Sequence, residues 1–474
     1  MSITLHIVSK SGQARKIYPA GVRHFSTGCP QERELLTPNQ TLHLYDGIVF
    51  ASPVLVCRTG MKTLKTANLP SKRLHHFDLL RAVMLLLIVL VHVAHVYSPV
   101  ANWIVSSPEK SWLAPILSSI PVFSMPGFFM ISSILSIFLL RKRSYDDWAR
   151  GRLLRIAVPL LCGILLLSPL TIYAASQAAA INASDSKGLL GDLGEDFSII
   201  DRRWIGHLWF LSTLGIFTLI AWWGFAKGVL MPWLNETAEK LVRLDDKLST
   251  WWTVVIAISL WSFFVKAAFY VFKSVLGFEP TVIALTNADT LFSYFPIFIL
   301  GLLLGASEDL RTLLFRVTTL RKWILAVAFT AFVLGAGIEN SEWEIVRKLI
   351  SSGLGTGIAL FLFGYLADKI GRPNSTVKTI SKYSYTVYLV HYPICNLLGY
   401  CLIYVSLEPT VEFLIAVLLT YALSFAAAWL IAQSRLLTFA FNGEPFWSKS
   451  TIKRNIRPDS LNHLAIETET APKR

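Results

Sequence analysis

The sequence predicts an all-α, polytopic integral membrane protein with about ten transmembrane helices and both termini in the cytoplasm. Three observations carry that expectation. Of 474 residues, 54% are apolar and only 16% charged, against roughly 25% charged in soluble chains, and the mean hydropathy is +0.53. So few charges could not cover a water-facing exterior, although the length would suit two or three soluble domains. The second observation is a series of apolar windows of bilayer-spanning length. The third is a regular alternation in the basic content of the loops between them.

An apolar run of about 17 to 25 residues crosses a bilayer as a helix. By that measure spans fall at 78–97, 113–140, 153–176, 207–226, 252–272, 289–306, 323–339, 349–367, 383–404 and 411–434. The second is long and contains Pro121 and Pro126, which predicts a kink or a break. One set of loops holds Arg141, Lys142, Arg143, Arg150, Arg152 and Arg155, then Lys227, Lys240, Arg243 and Lys247, then Arg311, Arg316, Arg321 and Lys322. It continues with Lys369, Arg372, Lys378 and Lys382 and closes with Arg435, Lys449, Lys453, Arg454 and Arg457. The opposite set has only Lys110, Lys187, Arg202, Arg203, Lys273, Arg347 and Lys348. Basic loops stay in the cytoplasm, so the first set is cytoplasmic and the number of spans is even. The net charge of +14 is then a topology signal; the expected partner is the bilayer, and no nucleic acid.

Three segments follow. Residues 1–72 form a cytoplasmic N-terminal segment, read as disordered or as an over-long start with Met61 as the rival initiator. Its apolar stretch Ile48–Cys57 is too short to span, and no cleavable signal is evident. Residues 73–436 form the membrane domain and 437–474 a basic cytoplasmic tail. The five cysteines, Cys29, Cys57, Cys162, Cys395 and Cys401, lack metal-ligand spacing and suggest neither a disulfide framework nor a metal site. The external loop 177–206 carries Asp185, Asp192, Glu195, Asp196 and Asp201 and reads as a solvated linker before a substrate loop.

Ionisable groups inside a span are costly, so each is a functional candidate. Asp78 and Arg81 open the first span, and His92 lies eleven residues beyond Arg81, about 16 Å deeper along a helix. His95 follows on much the same face. Imidazole suits acid–base work near neutral pH; the competing reading is a histidine hydrogen-bonded to a neighbouring helix. Arg152 and Arg155, one turn apart as the third span begins, could grip phosphates bidentately or simply set topology. His207 and Trp209, at the external start of the fourth span, could hold a substrate hydroxyl and a sugar ring, with interfacial anchoring as the alternative for tryptophan. Lys266, inside the fifth span, needs an anionic partner from the protein or from a ligand. His391 lies mid-span in the ninth helix with Tyr388 one turn below, where a packed histidine competes with a functional one.

Taken together, these segments resemble the membrane-bound acyltransferase type 3 family. Asp78, Arg81 and His92 match the family's first-helix Asp-x-x-Arg and its histidine, and Arg152 and Arg155 match its Arg-x-x-Arg. Met125–Ser133 is similar to the second-span signature, with Ser133 standing where the family has glycine. His207–Leu211, Tyr388–Pro393 and Phe441–Pro445 match one branch of the family, and the resemblance covers about 73–446.

It implies a membrane O-acyltransferase (EC 2.3.1) of the bacterial inner membrane. The donor would be cytoplasmic acyl-CoA, foremost succinyl-CoA, and the acceptor a hydroxyl of a periplasmic glucan, with no tightly bound cofactor. On that reading His92, Arg81 and Asp78 are catalytic, and Arg152 and Arg155 bind the donor. His207, Trp209, Lys266, His391 and Tyr388 contact substrate. The alternatives are an O-acetyltransferase acting on exopolysaccharide or another envelope glycan, and a transporter with intramembrane polar sites.

Overall fold

In a computed structural model of the chain, the described residues are 6–8, 14–16, 75–96, 119–183, 202–277, 281–282, 286–335, 341–369, 375–405 and 407–444. The chain divides into two compact units, Met1–Leu69 and Pro70–Arg474. In the first, β1 (His6–Val8) pairs antiparallel with β2 (Ala14–Lys16), His6 opposite Lys16. Ile48–Cys57, Met61, Cys29 and the acidic loop residues from Asp185 to Asp201 lie outside the described residues.

The second unit is a helical bundle. Its long helices are α1 (His75–Val96), α2 (Pro121–Leu140), α3 (Tyr145–Cys162), α4 (Ser168–Ala183) and α5 (Trp209–Ala226). The amphipathic α6 (Leu230–Leu244) precedes α7 (Thr250–Leu276), and a two-residue ladder, β3 (Thr281–Val282) with β4 (Thr286–Asn287), leads into α8 (Ala288–Ala306). Then come α9 (Glu308–Leu314), α10 (Thr319–Leu334), α11 (Ser341–Lys369), α12 (Ser375–Leu402), α13 (Pro409–Gln433) and the short α14 (Arg435–Asn442).

Helices stand at all ten places where the sequence predicts spans. Eight of them are long and apolar enough to cross a membrane, and a ninth candidate arises if α9 and α10, bent by 63°, count as one broken span. The tenth place is α12, which does not reach that apolarity. Tyr388, His391, Tyr392 and Asn396 lower its hydropathy, the mark of a helix with polar work in the interior. The second span runs unbroken through Pro126, with Pro121 at its first turn, where a missing N–H costs nothing.

The helices differ in how much lipid-type surface they keep. More than half of the spans in α1, α2 and α8 is buried, whereas α7 and α13 are mostly peripheral. α1 packs on α12, α2, α13 and α11, and α2 on α8 and α11. The α2–α8 contact is close because Gly301 faces α2: a Cβ there would overlap the Ser133 hydroxyl. Ser133 is accommodated there because Gly301 on the partner helix leaves room for its hydroxyl. Its own hydroxyl donates to the Phe129 carbonyl at 2.8 Å.

The ends of the basic segments meet on one face. Arg141 donates to the Gly305 and Ala306 carbonyls at 3.2 and 3.3 Å. Trp222 Nε1 donates to Asp146 at 2.8 Å, and the Ser381 hydroxyl to Asp78 at 3.2 Å. Thr386 donates to Asn442 at 2.7 Å, just before α14 ends on Gly443. Gly443 has φ of 60°, and a Cβ there would overlap the Leu154 carbonyl, so both the left-handed backbone and the close approach require glycine.

Candidate active site

On the side of the bundle away from that face, three helices bring histidines together. His92 comes from α1 and His391 from α12. His207 comes from a 3-10 turn, Gly206–Leu208, that precedes α5. A π-helical turn at Gly163–Leu167, between α3 and α4, helps to place that 3-10 turn. Leu208 lies against Gly163, and the Ser168 hydroxyl donates to the Trp204 carbonyl at 2.5 Å.

The His92 ring centroid lies 5.2 Å from that of His391, 6.4 Å from His207, 5.9 Å from His95 and 5.0 Å from Tyr392. His207 and His391 are 5.5 Å apart, and His207 stacks on Tyr392 at 4.6 Å. The hydrogen bonds fix two tautomers, because a carbonyl only accepts. His391 Nδ1–H donates to the Val387 carbonyl at 3.1 Å, so its Nε2 is a bare acceptor. His207 Nε2–H donates to the Leu389 carbonyl at 3.1 Å. The Tyr388 hydroxyl donates to the His207 carbonyl at 2.6 Å and holds the turn in place.

Among the described residues two buried ring nitrogens have no partner: His92 Nδ1 and His391 Nε2. Leaving a buried polar group unpaired costs about 1–3 kcal/mol, and here two such groups sit on adjacent rings. His391 is fully buried, whereas His92 is only partly so. A donor such as an incoming hydroxyl would satisfy the acceptor nitrogen of His391 and lie beside His92. Among the described residues no group of His, Cys, Asp or Glu side chains has the arrangement to hold a metal ion.

A second polar layer lies on the basic side. Arg152 reaches into the bundle, where Nε donates to Thr218 at 3.0 Å and Nη2 to Ser132 at 2.5 Å, with its guanidinium 6.0 Å from the Trp148 ring. Among the described residues it has no carboxylate partner. Arg155 does not join it: its side chain is exposed, and its backbone carbonyl accepts from Tyr385 at 2.5 Å. Asp78 and Arg81 share the first turns of α1, with Asp78 tied to Ser381. Eleven residues separate Arg81 from His92 and also Thr218 from His207, so the two layers are about 16 Å apart on both helices.

Between the layers lies an aromatic packing of Phe129, Phe210, Phe217 and Tyr294, with Phe129 on Phe210 at 4.7 Å and stacked on Tyr294 at 4.9 Å. Trp209 belongs to it, 5.7 Å from Tyr294, and so faces the interior. Lys266 is half-buried on α7, which packs mainly on α11 and α8. Of the sequence candidates, His92, His207, His391 and Tyr388 therefore meet in one place, Arg81, Asp78 and Arg152 lie in the other layer, and Lys266 stands apart.

Sequence reasoning did not single out Thr218, Ser381, Tyr385 or Tyr392. Tyr392 had a signal, since it sits beside His391 within Tyr388–Pro393. Thr218, one hydroxyl in an apolar run, had none.

Residues 74–429 match the family described as acyltransferase domain, of the acyltransferase 3 type. That match takes in α1 through most of α13 and every residue of both layers. The chain belongs to the acyltransferase 3 family. Within it, the chain is similar to the protein named glucans biosynthesis protein C of Escherichia coli strain UMN026, at 25% identity over 394 residues, 82% of this chain and 99% of the relative. The same protein of Escherichia coli O1:K1 and of strain K12 DH10B gives the same figures. No solved structure matches the chain. Acyltransferase 3 membership and the apolar helices together make this a multi-pass membrane acyltransferase.

Proposed function

We propose that the protein moves an acyl group, foremost succinyl, from acyl-CoA on the cytoplasmic side of a bacterial inner membrane to a glycan hydroxyl outside it, with a periplasmic glucan as the favoured acceptor. The observation that carries the reading is the pair of buried nitrogens on His92 and His391 that have no partner among the described residues, opposite a half-buried Arg152 with no carboxylate partner among them. Among the described residues, one place lacks a hydrogen-bond donor such as a hydroxyl, and the other has a cation without a carboxylate. The relatives' name, glucans biosynthesis protein C, supports a glucan acceptor, and the alternating loop charge supports the orientation. In it residues 73–436 form a ten-span catalytic domain, and segments 1–72 and 437–474 lie in the cytoplasm.

The chemistry follows from the placement. Arg152, with Arg155 at the mouth and Arg81 beside the path, holds the CoA phosphates, and the acyl arm reaches across the aromatic packing. His92 accepts the proton of the acceptor hydroxyl as its oxygen attacks the thioester carbonyl. The C–O bond forms, the C–S bond breaks, and the leaving thiolate takes a proton back from the imidazolium. His391 and His207, each held in one tautomer by its carbonyl partner, orient the hydroxyl. No bound cofactor enters.

The direct test loads inverted membrane vesicles with a glucan acceptor in the lumen, adds labelled succinyl-CoA or acetyl-CoA outside, and follows both CoA release and the acylated product. Succinyl transfer with stoichiometric CoA release is expected. Transfer from acetyl-CoA alone would replace the donor, and solute movement without CoA release would overturn the reading. The orientation is checked with a cysteine at the exposed Arg155: an impermeant thiol reagent should reach Arg155→Cys only from the cytoplasmic side.

A further inference from the structure

The histidine cluster is joined to the far end of the bundle by one face of α12. Tyr392, Asn396 and Tyr400 recur every four residues on that helix, and Tyr404 continues the row in the turn that closes it. Side chains four apart on a helix lie one above the other, so the row is a stripe about 18 Å long. Its inner end is Tyr392, against His92 and His207. Its outer end is an assembly of three phenol rings. Tyr400 and Tyr404 lie with ring centroids 5.7 Å apart and hydroxyls 3.2 Å apart, and Tyr173 of α4 meets Tyr400 edge-on at 6.1 Å.

Interfacial tyrosines commonly anchor a protein at the headgroup level. Two features point beyond anchoring. The phenol hydroxyls converge on one another instead of spreading along the membrane plane. Amides also accompany the rings: the buried Asn396 donates Nδ2–H to the Tyr392 carbonyl at 2.7 Å and holds that end of the row, and Gln177, one turn beyond Tyr173, has a buried Nε2 with no hydrogen-bond partner among the described residues. An amide donor buried without a partner needs an acceptor oxygen from elsewhere. Aromatic faces carry negative charge, which suits the partly positive C–H face of a pyranose, and hydroxyls and amides suit its oxygens.

Resting on the acyl-transfer reading, we infer that Tyr173, Gln177, Tyr400 and Tyr404 form a subsite for hexose units of the acceptor glycan, from which the Asn396–Tyr392 stripe leads the reacting unit to His92. The rings engage neighbouring sugars, so a chain of several residues is held while one hydroxyl enters the histidine cluster. A single glucose would be a poor acceptor beside a hexasaccharide.

The test uses the full-length protein in lipid nanodiscs with maltohexaose and cellohexaose as probes, which cover both anomeric linkages, and with succinyl-CoA as donor. Equilibrium binding of each hexasaccharide is measured alongside transfer kinetics. Tyr400→Leu and Tyr404→Leu should each weaken hexasaccharide binding and raise the acceptor KM by roughly tenfold, with the donor KM unchanged. Tyr404→Trp, which keeps an aromatic face, should stay near wild type.

An unchanged acceptor KM in both leucine variants, or failure of both probes to bind the wild type, overturns the subsite. So does a loss in which donor KM and thermal stability move together with acceptor KM. Tyrosine-dependent binding without acyl transfer would uphold the subsite and overturn the transfer reading. Transfer that ignores these tyrosines would do the reverse.

Discussion

The arginine layer and the histidine layer are built from the same helices, yet they handle their polar groups in opposite ways. Around Arg152 the protein is closed on itself. Its guanidinium has two hydroxyl acceptors, and the Thr218 hydroxyl in turn donates to the Leu214 carbonyl at 2.7 Å. Around His92 it is open: two buried ring nitrogens have no partner among the described residues, and His207 is held on the other side by the Leu389 carbonyl and the Tyr388 hydroxyl. A buried polar group without a partner is an energetic defect of the empty protein, and it is tolerated where a ligand supplies the partner. On the proposed reading, hydroxyl chemistry belongs to the histidine layer and anion holding to the arginine layer.

The sharpest way to break this contrast is to remove His92. General-base help is worth about 10²–10⁴-fold, so His92→Ala should lose turnover on that scale. Folding should survive, because Nδ1 supports no hydrogen bond in the resting structure. CoA release in the presence of glycan, with a thermal melt on the same sample, checks both halves. Near-normal activity would move the chemistry elsewhere.

Next in size is the difference between the two arginines. Charge-assisted contacts are worth roughly 1.5–3 kcal/mol, so Arg152→Ala should raise the donor KM by about 10- to 100-fold. The exposed Arg155 should matter much less on replacement by alanine. Equal effects in a donor titration would mean that Arg155 swings inward when donor binds.

The close helix contact beneath the arginine layer predicts a stability effect rather than a kinetic one. Gly301→Ala meets the Ser133 hydroxyl and should cost about 1–3 kcal/mol, read as a lower melting temperature in detergent. Adding Ser133→Gly should return part of it, as a non-additive pair.

The smallest expected effect is at Lys266, half-buried on α7. Lys266→Ala should weaken use of succinyl-CoA a few-fold more than use of acetyl-CoA if its ammonium meets the distal carboxylate. Equal losses with both donors would dismiss that role.

The membrane class, the ten helical positions and the alternation of loop charge could be read directly from the chain. Hydrophobicity and basic-loop bias act locally, one segment at a time, so no contact need be known. The same holds for the depth of His92 below Arg81, which is a matter of helix rise. Even so, apolarity alone did not settle α12. Its polar side chains make it the least hydrophobic of the ten, although it carries His391.

Only the tertiary structure decided which candidates belong together. Arg152 and Arg155 look equivalent at a spacing of three residues, yet one enters the bundle and the other faces outward, because Ser132 and Thr218 lie on helices distant in sequence. His92, His207 and His391 converge across three separate segments, and the carbonyls that fix the tautomers of His207 and His391 belong to the packed backbone of α12. Convergence and hydrogen-bond deficit are properties of several helices at once, and no periodicity within a single one encodes them.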